Sequence, residues 1–303
     1  MSDLADLYRR PAVKPAGVAT PAATHAPVSL AARLEREIRE GRVELPVLPR
    51  AAVEVQELIA RDADLPSIVR AIEREPTVAA ALVKYANAAV YAGLRDVTDL
   101  QQAVARLGLD QVRETVVSLS ASAAFKADNP AQAKYYSTIW RHSLTTAVAA
   151  RRLAEFVSVP KETAFLAGLL HDIGRVCVLR GITTLRKRDP KGFVLPDNTI
   201  GEFTDALHCP IAEVLCKAWN IPAELSDAIK RHHDTNLTEK DTLAAVVQVA
   251  DLMAAKIGAS LHPEPNLKLV ERPAFTALQL DDVKIAMLLV ELEDECESMA
   301  KLM

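Results

Sequence analysis

A chain of 303 residues, half of them apolar, has ample material for a buried core, and its formal net charge of −4 gives no basis for nucleic acid as a main partner. No run approaches the roughly 18 apolar residues of a membrane span, so neither membrane nor nucleic acid is an expected partner. Only 10 glycines and 4% aromatics, set against abundant Ala, Leu, Glu and Arg, make a helix-former's composition.

The N-terminus carries Asp3, Asp6, Arg9 and Arg10 without an apolar stretch, which is not a secretory signal. The four cysteines, Cys177, Cys209, Cys216 and Cys296, form no C-x-x-C pair and read as reduced thiols, mostly buried. A cytoplasmic location is the expectation. Residues 1–28 hold Pro11, Pro15, Pro21 and Pro27 among Ala, Val and Thr. Such a stretch cannot bury enough apolar surface to offset its ordering entropy and is expected to be a disordered tail.

Ser29 suits the N-cap of a helix whose Leu30, Leu34 and Ile38 fall on one face, and Gly41 ends it. Leu45-Pro46-Val47-Leu48-Pro49 is an extended connector, and the next helix carries Val55, Leu58 and Ile59. Asp64 opens a helix with Ile68, Val69 and Ile72; Pro76 stops it and starts another through Val78, Leu82 and Tyr85. Thr98-Asp99-Leu100-Gln101 has the form of a capping box ahead of Val104 and Leu107. Gly108 closes that helix, and Asp110 caps one with Val112 and Val116. Asp128-Asn129-Pro130 marks a boundary between an N-terminal helical subdomain, 29–130, and a second unit, 131–303.

In the second unit a helix over about 131–157 carries Trp140 and His142, and Pro160 opens the next, which delivers His171-Asp172. Residues 181–201 read as a looser segment. Arg180, Arg186, Lys187, Arg188 and Lys191 form a basic cluster in this segment, either a solvated run or a lid that steers substrate. Further helices bring up Glu202 and His208, then His232-His233 after Pro222, then Asp251 within about 241–257. Pro263, Pro265 and Pro273 mark a loop, and a last helix fills 281–300. No stretch alternates with period two, so the fold class is all-α.

Five of the seven histidines lie in this second unit at or beside helix ends: His142, His171, His208, His232 and His233. With Asp172 and Asp251 they form a set of imidazoles and carboxylates that suits Fe, Mn, Co, Zn or Ni better than Ca or a thiolate-loving metal. The set exceeds what one tetrahedral ion needs, so one or two divalent transition-metal ions are expected. In an adjacent His-Asp pair the carboxylate can bridge two ions, and two ions about 3.5–4 Å apart generate a bound hydroxide and clamp a phosphate oxygen. His25 and His262 read instead as surface residues, and Trp140 and Trp219 as core. Arg175 follows Asp172 by three positions. It is either a helix-end charge or a group that holds an anion over the metals.

The order of these residues resembles the HD superfamily of metal-dependent phosphohydrolases. The closer resemblance, over about residues 40–255, is to the HDOD family, the HD-related output domains of bacterial signalling proteins. Matching stretches are Leu45-Pro46-Val47-Leu48-Pro49, Ile72-Glu73-Arg74-Glu75-Pro76, Lys84-Tyr85-Ala86-Asn87-Ala88-Ala89 and Ala103-Val104-Ala105-Arg106-Leu107-Gly108. To these are added Trp140-Arg141-His142-Ser143-Leu144, Leu170-His171-Asp172-Ile173-Gly174-Arg175, Ala218-Trp219-Asn220-Ile221-Pro222 and His232-His233. The resemblance implies an N-terminal helical subdomain packed on a divergent HD-type bundle, and a regulatory role. It also implies that His142, His171, Asp172, His208, His232, His233 and Asp251 follow the ligand order of the HD-GYP cyclic-di-GMP phosphodiesterases. Asp234-Thr235-Asn236-Leu237 stands where those enzymes place Gly-Tyr-Pro. Thr138 stands where their trinuclear members place a Glu ligand, and Arg175 replaces a frequent Lys, keeping the charge but not the ammonium geometry.

Two functions follow as expectations. One is a signal-transduction module acting through a protein partner or a bound ligand, with a retained metal site. The alternative is a di-metal phosphohydrolase acting on a nucleotide or cyclic dinucleotide, in which Asp172 and Arg175 serve catalysis.

Overall fold

Local sequence sets where the first helices start. In the computed structural model, which describes residues 29–43, 54, 55, 58, 61, 63–74, 76–87, 96–122, 125, 132–219 and 221–300, the Ser29 hydroxyl accepts from the Ala32 amide at 3.1 Å and opens α1, Leu30–Arg39. Asp64 does the same for Ser67 at the head of α2, Leu65–Glu73. Helix α3, Pro76–Ala86, starts on its proline, whose missing N–H costs nothing there. The expected tail over 1–28, the connector over 45–49 and the boundary at 128–130 lie outside the described residues.

Helix α4, Leu100–Ser122, is two helices joined at Gly108, whose φ of 76° only glycine adopts cheaply. Its cap differs from expectation. Asp99, not Thr98, accepts from the Gln102 amide at 2.8 Å, and the Gln102 side chain returns to the Asp99 carboxylate. A carboxylate accepts a helix-end N–H more strongly than a hydroxyl does, so the cap moves one residue along.

The second half contains α5, Ala133–Leu153; α6, Lys161–Leu170; α7, Ile173–Arg188; α8, Ile200–Ala218; α9, Ala223–Arg231; and α10, Thr242–Lys256. A short α11, Pro273–Ala277, and α12, Asp282–Ala300, complete it. All regular structure among the described residues is helical. Helix α5 packs along α6 and α10, α7 crosses α8, and α9 lies against α8 and α10. A continuous core runs from Leu34 to Leu292.

The reading of 181–201 as loose is corrected over its first half: α7 continues to Arg188, so Arg186, Lys187 and Arg188 are helical. The cause is tertiary. Gly181 meets Leu34 of α1, Arg188 pairs with Glu37 at 3.2 Å, and Arg33 reaches Asp189 at 2.7 Å. Helix α1 therefore rests on α7 and α8 rather than among α2–α4. Helices α2–α4 join the bundle through α4, where Arg113 pairs with Glu162 of α6 at 3.0 Å and Glu114 with Arg151 of α5.

Candidate metal centre

The polar centre of the bundle is built where α5, α6, α7, α8, α9 and α10 converge. His142 projects from α5, His171-Asp172 form the α6–α7 junction, and His208 projects from α8. His232-His233 follow α9, and Asp251 lies in α10. His142, His171, Asp172, His208 and His232 are buried, Asp251 is half-buried and His233 is exposed. All seven come together: donor atoms of His142, His171 and Asp251 lie within 4.8 Å of one another, as do those of His171, Asp172 and His232. A third such group holds His208, His232 and His233 together with Cys209, which its sequence context marks only as a reduced thiol.

Four imidazoles share one arrangement. Nδ1 of His142, His171, His208 and His232 lies 2.9, 2.7, 2.8 and 2.6 Å from the carbonyl oxygens of Ala259, Gly168, Asp205 and Ile229. A carbonyl can only accept, so each Nδ1 carries the proton and each Nε2 presents a lone pair when the ring is neutral. Those Nε2 atoms face inward. His142 Nε2 is 3.1 Å from His171 Nε2 and 3.1 Å from Asp251 Oδ1, and His208 Nε2 is 3.4 Å from Asp172 Oδ1. Two lone pairs at that separation repel unless a cation, a proton or a metal, lies between them. Ligands about 2.0–2.2 Å from one ion sit roughly 3–3.5 Å apart, which the observed spacings match. Buried Nε2 of His232 and Oδ1 of Asp172 have no hydrogen-bond partner. The donor set thus fits a divalent metal in chemistry, tautomer and spacing.

Electrostatics prepare the groups. Burial pushes His171 and His232 below the ordinary imidazole range and takes His208 down to about 4, so these rings stay neutral. Burial also opposes charge on His142, but the carboxylates of Asp251 and Asp172 outweigh it and raise its pKa. Burial likewise disfavours ionised Asp172, yet Arg175 and the surrounding imidazoles hold it well below the carboxylate range. Burial lifts the Cys209 thiol to about 12.

Arg175 does not reach into open space. It is buried, with Nε 2.7 Å from Asp172 Oδ2 and Nη1 on Asp205, and Asp205 Oδ2 lies 3.2 Å from His262 Nε2. His262, expected on the surface, is exposed but tied to this rim. Spacing could have suggested the link, because Asp172–Arg175 and Asp205–His208 are i,i+3 pairs on helices. Thr138 donates its hydroxyl to the Lys134 carbonyl at 2.9 Å. A concavity of about 650 Å³ opens on the 263–272 loop, lined by Glu264, Lys268, Glu271 and Arg272 among others; none of the imidazoles lines it.

The close approach of α7 to α8 explains Gly174. A Cβ there would collide with the His208 carbonyl, so glycine lets the two helices bring Asp172 and His208 together.

The HDOD domain matches residues 45–235. The chain belongs to the HDOD family. The HDOD match covers His142 to His233 and stops short of Asp251. An HDOD domain protein of unknown function from Geobacter sulfurreducens superposes with a TM-score of 0.66 at 23% identity, covering 89% of this chain and 96% of that one. A candidate metal-dependent phosphohydrolase of Shewanella amazonensis SB2B gives 0.62 at 22%, with 86% and 98% covered. A candidate signal transduction protein of Marinobacter aquaeolei VT8 gives 0.65 at 21%, with 91% and 66% covered. These likenesses establish the HDOD fold. An uncharacterized protein of Treponema pallidum (strain Nichols) is 23% identical over 209 residues, 67% of this chain; the chain spans 40% of that relative's length. No helix among the described residues is long and apolar enough to cross a membrane.

Proposed function

We propose that this HDOD protein is a regulatory module whose bundle is held by a divalent transition metal. His142, His171, Asp172, His208, His232, His233 and Asp251 are the ligands, for one or two ions. The observation that carries the reading is the set of four imidazoles whose Nδ1 protons are fixed on backbone carbonyls while their Nε2 atoms converge. Backbone-anchored imidazoles are the usual supporting arrangement of metal-bound histidine. Bound there, the metal supplies Lewis acidity and a cross-link between helices that are far apart in sequence. The chain's own residues do the rest. The carbonyls hold each ring, Asp172 and Asp251 carry the negative charge that offsets the ion, and burial keeps the His171, His208 and His232 rings neutral.

Of the structural relatives, one is described as a signal transduction protein and another as a metal-dependent phosphohydrolase, which are the two functions open to this chain. The state of Arg175 favours regulation. Its guanidinium is paired with Asp172 and Asp205 and is not presented as free charge for a phosphate. Output then goes through a protein partner or a bound ligand that senses the geometry of the bundle.

The test is direct. The purified full chain is analysed for bound metal and then assayed, with Mn or Fe added, against nucleotides and cyclic dinucleotides. Bound transition metal without turnover is the expected result. Turnover abolished by Asp172→Ala in a folded protein would assign the phosphohydrolase function instead. A chain that binds no transition metal would overturn both.

A further inference from the structure

The ring of donors is not uniform. On the side of α5 and α10 it is nitrogen and oxygen: His142, His171, Asp251. On the side of α8 and α9 a sulfur enters. Cys209 Sγ lies 3.3 Å from His208 Nε2 and 3.9 Å from His232 Nδ1, and one donor atom each of His208, Cys209, His232 and His233 fall within 4.8 Å of one another. Zinc–sulfur and zinc–nitrogen bonds of about 2.3 and 2.0–2.1 Å allow two ligands of one ion to be at most about 4.4 Å apart. The Cys209–His208 distance satisfies that limit, whereas the 3.9 Å contact is to the His232 nitrogen whose proton lies on the Ile229 carbonyl.

We propose that Cys209 is a metal ligand, and that His208, Cys209, His232 and His233 form a sulfur-bearing half-site for zinc, chemically distinct from the carboxylate half around Asp251. The inference rests on the metal reading above and adds to it a thiolate ligand and a metal preference. A second observation stands beside the distances. Nε2 of His232, in a fully buried ring that belongs to this group of four, has no hydrogen-bond partner. The rings of His232 and His233 are 4.0 Å apart, and those of His208 and His233 5.1 Å, so the imidazoles already crowd around the same point. A thiolate with imidazoles is a donor set that selects zinc or cobalt, whereas carboxylates also accept the harder manganese. Coordination exchanges the S–H bond for an S–metal bond, and the proton leaves to solvent. Pro210 follows directly within α8, which fixes the chain at the ligand but supplies no donor.

The competing arrangement is a neutral thiol that donates weakly to His208 Nε2. The two are separated with the full-length chain, loaded with Co(II) for its spectrum and with Zn(II) for X-ray absorption. If Cys209 is a ligand, the cobalt protein shows a thiolate-to-cobalt charge-transfer band. That band survives Cys216→Ser, is lost in Cys209→Ser, and its loss is accompanied by loss of bound zinc. The zinc edge of the unmutated protein then shows a sulfur shell at about 2.3 Å, a readout that does not depend on any variant folding. Metal bound with only nitrogen and oxygen neighbours, and unchanged by Cys209→Ser, would overturn the assignment of Cys209 while leaving the metal reading intact. Failure to bind cobalt or zinc in a chain that binds manganese or iron would overturn the sulfur-bearing half-site alone, and failure to bind any transition metal would overturn both.

Discussion

Asp172 is buried between a guanidinium and three imidazoles, and it is the residue on which the polar centre balances. Removing one partner of a buried pair leaves the other charge without compensation, typically at a cost of about 3–5 kcal/mol. Asp172→Ala is therefore expected to destabilise the chelated protein by on the order of 3 kcal/mol in urea unfolding, since Asp205 still faces Arg175. Adding Arg175→Met should restore most of that loss; a double variant no more stable than the single would show that the pair is not the source. His262 provides the contrast. It is 65% exposed, so His262→Ala should change stability by no more than about 0.5 kcal/mol despite its contact with Asp205. At this scale the seven ligand candidates were legible because His and Asp have little other reason to recur near helix ends. Cys209 was not, since one cysteine beside a histidine is usually a small apolar residue. The Asp172–Arg175 spacing was open to reading, but the second partner of Arg175, Asp205, was not, because it lies on another helix.

Helix crossings decide how the residues meet. The α7–α8 contact needs Gly174, so Gly174→Ala should cost about 1–3 kcal/mol through overpacking and should also weaken metal retention by displacing His208. Gly201, in α8 with open space around it, is the control. There Gly201→Ala should be neutral or stabilise by up to about 1 kcal/mol. Paired thermal melts distinguish crowding from helix propensity. At the other end of the site, Asp241 closes a capping box with Thr238 and accepts from Arg231 at 2.6 Å. Hydrogen bonding to Arg231, then to Thr238, lowers its pKa from the usual 3.8 to about 2. A depressed carboxylate contributes stability above its unfolded pKa and loses it as pH falls through the folded one. The stability gap between the protein and Asp241→Asn should therefore be constant above about pH 5 and shrink between pH 4 and pH 2. A gap that widens on acidification would contradict this. Helix starts were readable from Ser29, Asp64 and Pro76, whereas the continuation of α7 to Arg188 was not, because it depends on packing against α1.

On the scale of the whole molecule, α1 precedes α2–α4 in sequence yet docks on the bundle. Leu34 is fully buried there, and Leu34→Ala should cost about 2–5 kcal/mol. Metal removal should act unevenly. If the ion cross-links the bundle, chelation should speed amide exchange in α5, α8, α9 and α10 together and leave α2–α4 nearly unchanged. Equal acceleration throughout would argue against such a cross-link. The all-helical class and the family were legible in composition and in local motifs. The position of α1 was not, because Leu34 and Gly181 carry no mark of each other in sequence.

The donors extend from position 142 to position 251 and come from several helices and the turns that follow them. Contacts of such long sequence separation form late, after most of the chain entropy has been surrendered. The centre is thus a checkpoint for completed folding: a nascent or partly opened chain has isolated imidazoles but no cage. Ion capture during refolding should lag behind the appearance of helical circular dichroism and coincide with the final recovery of rigid packing.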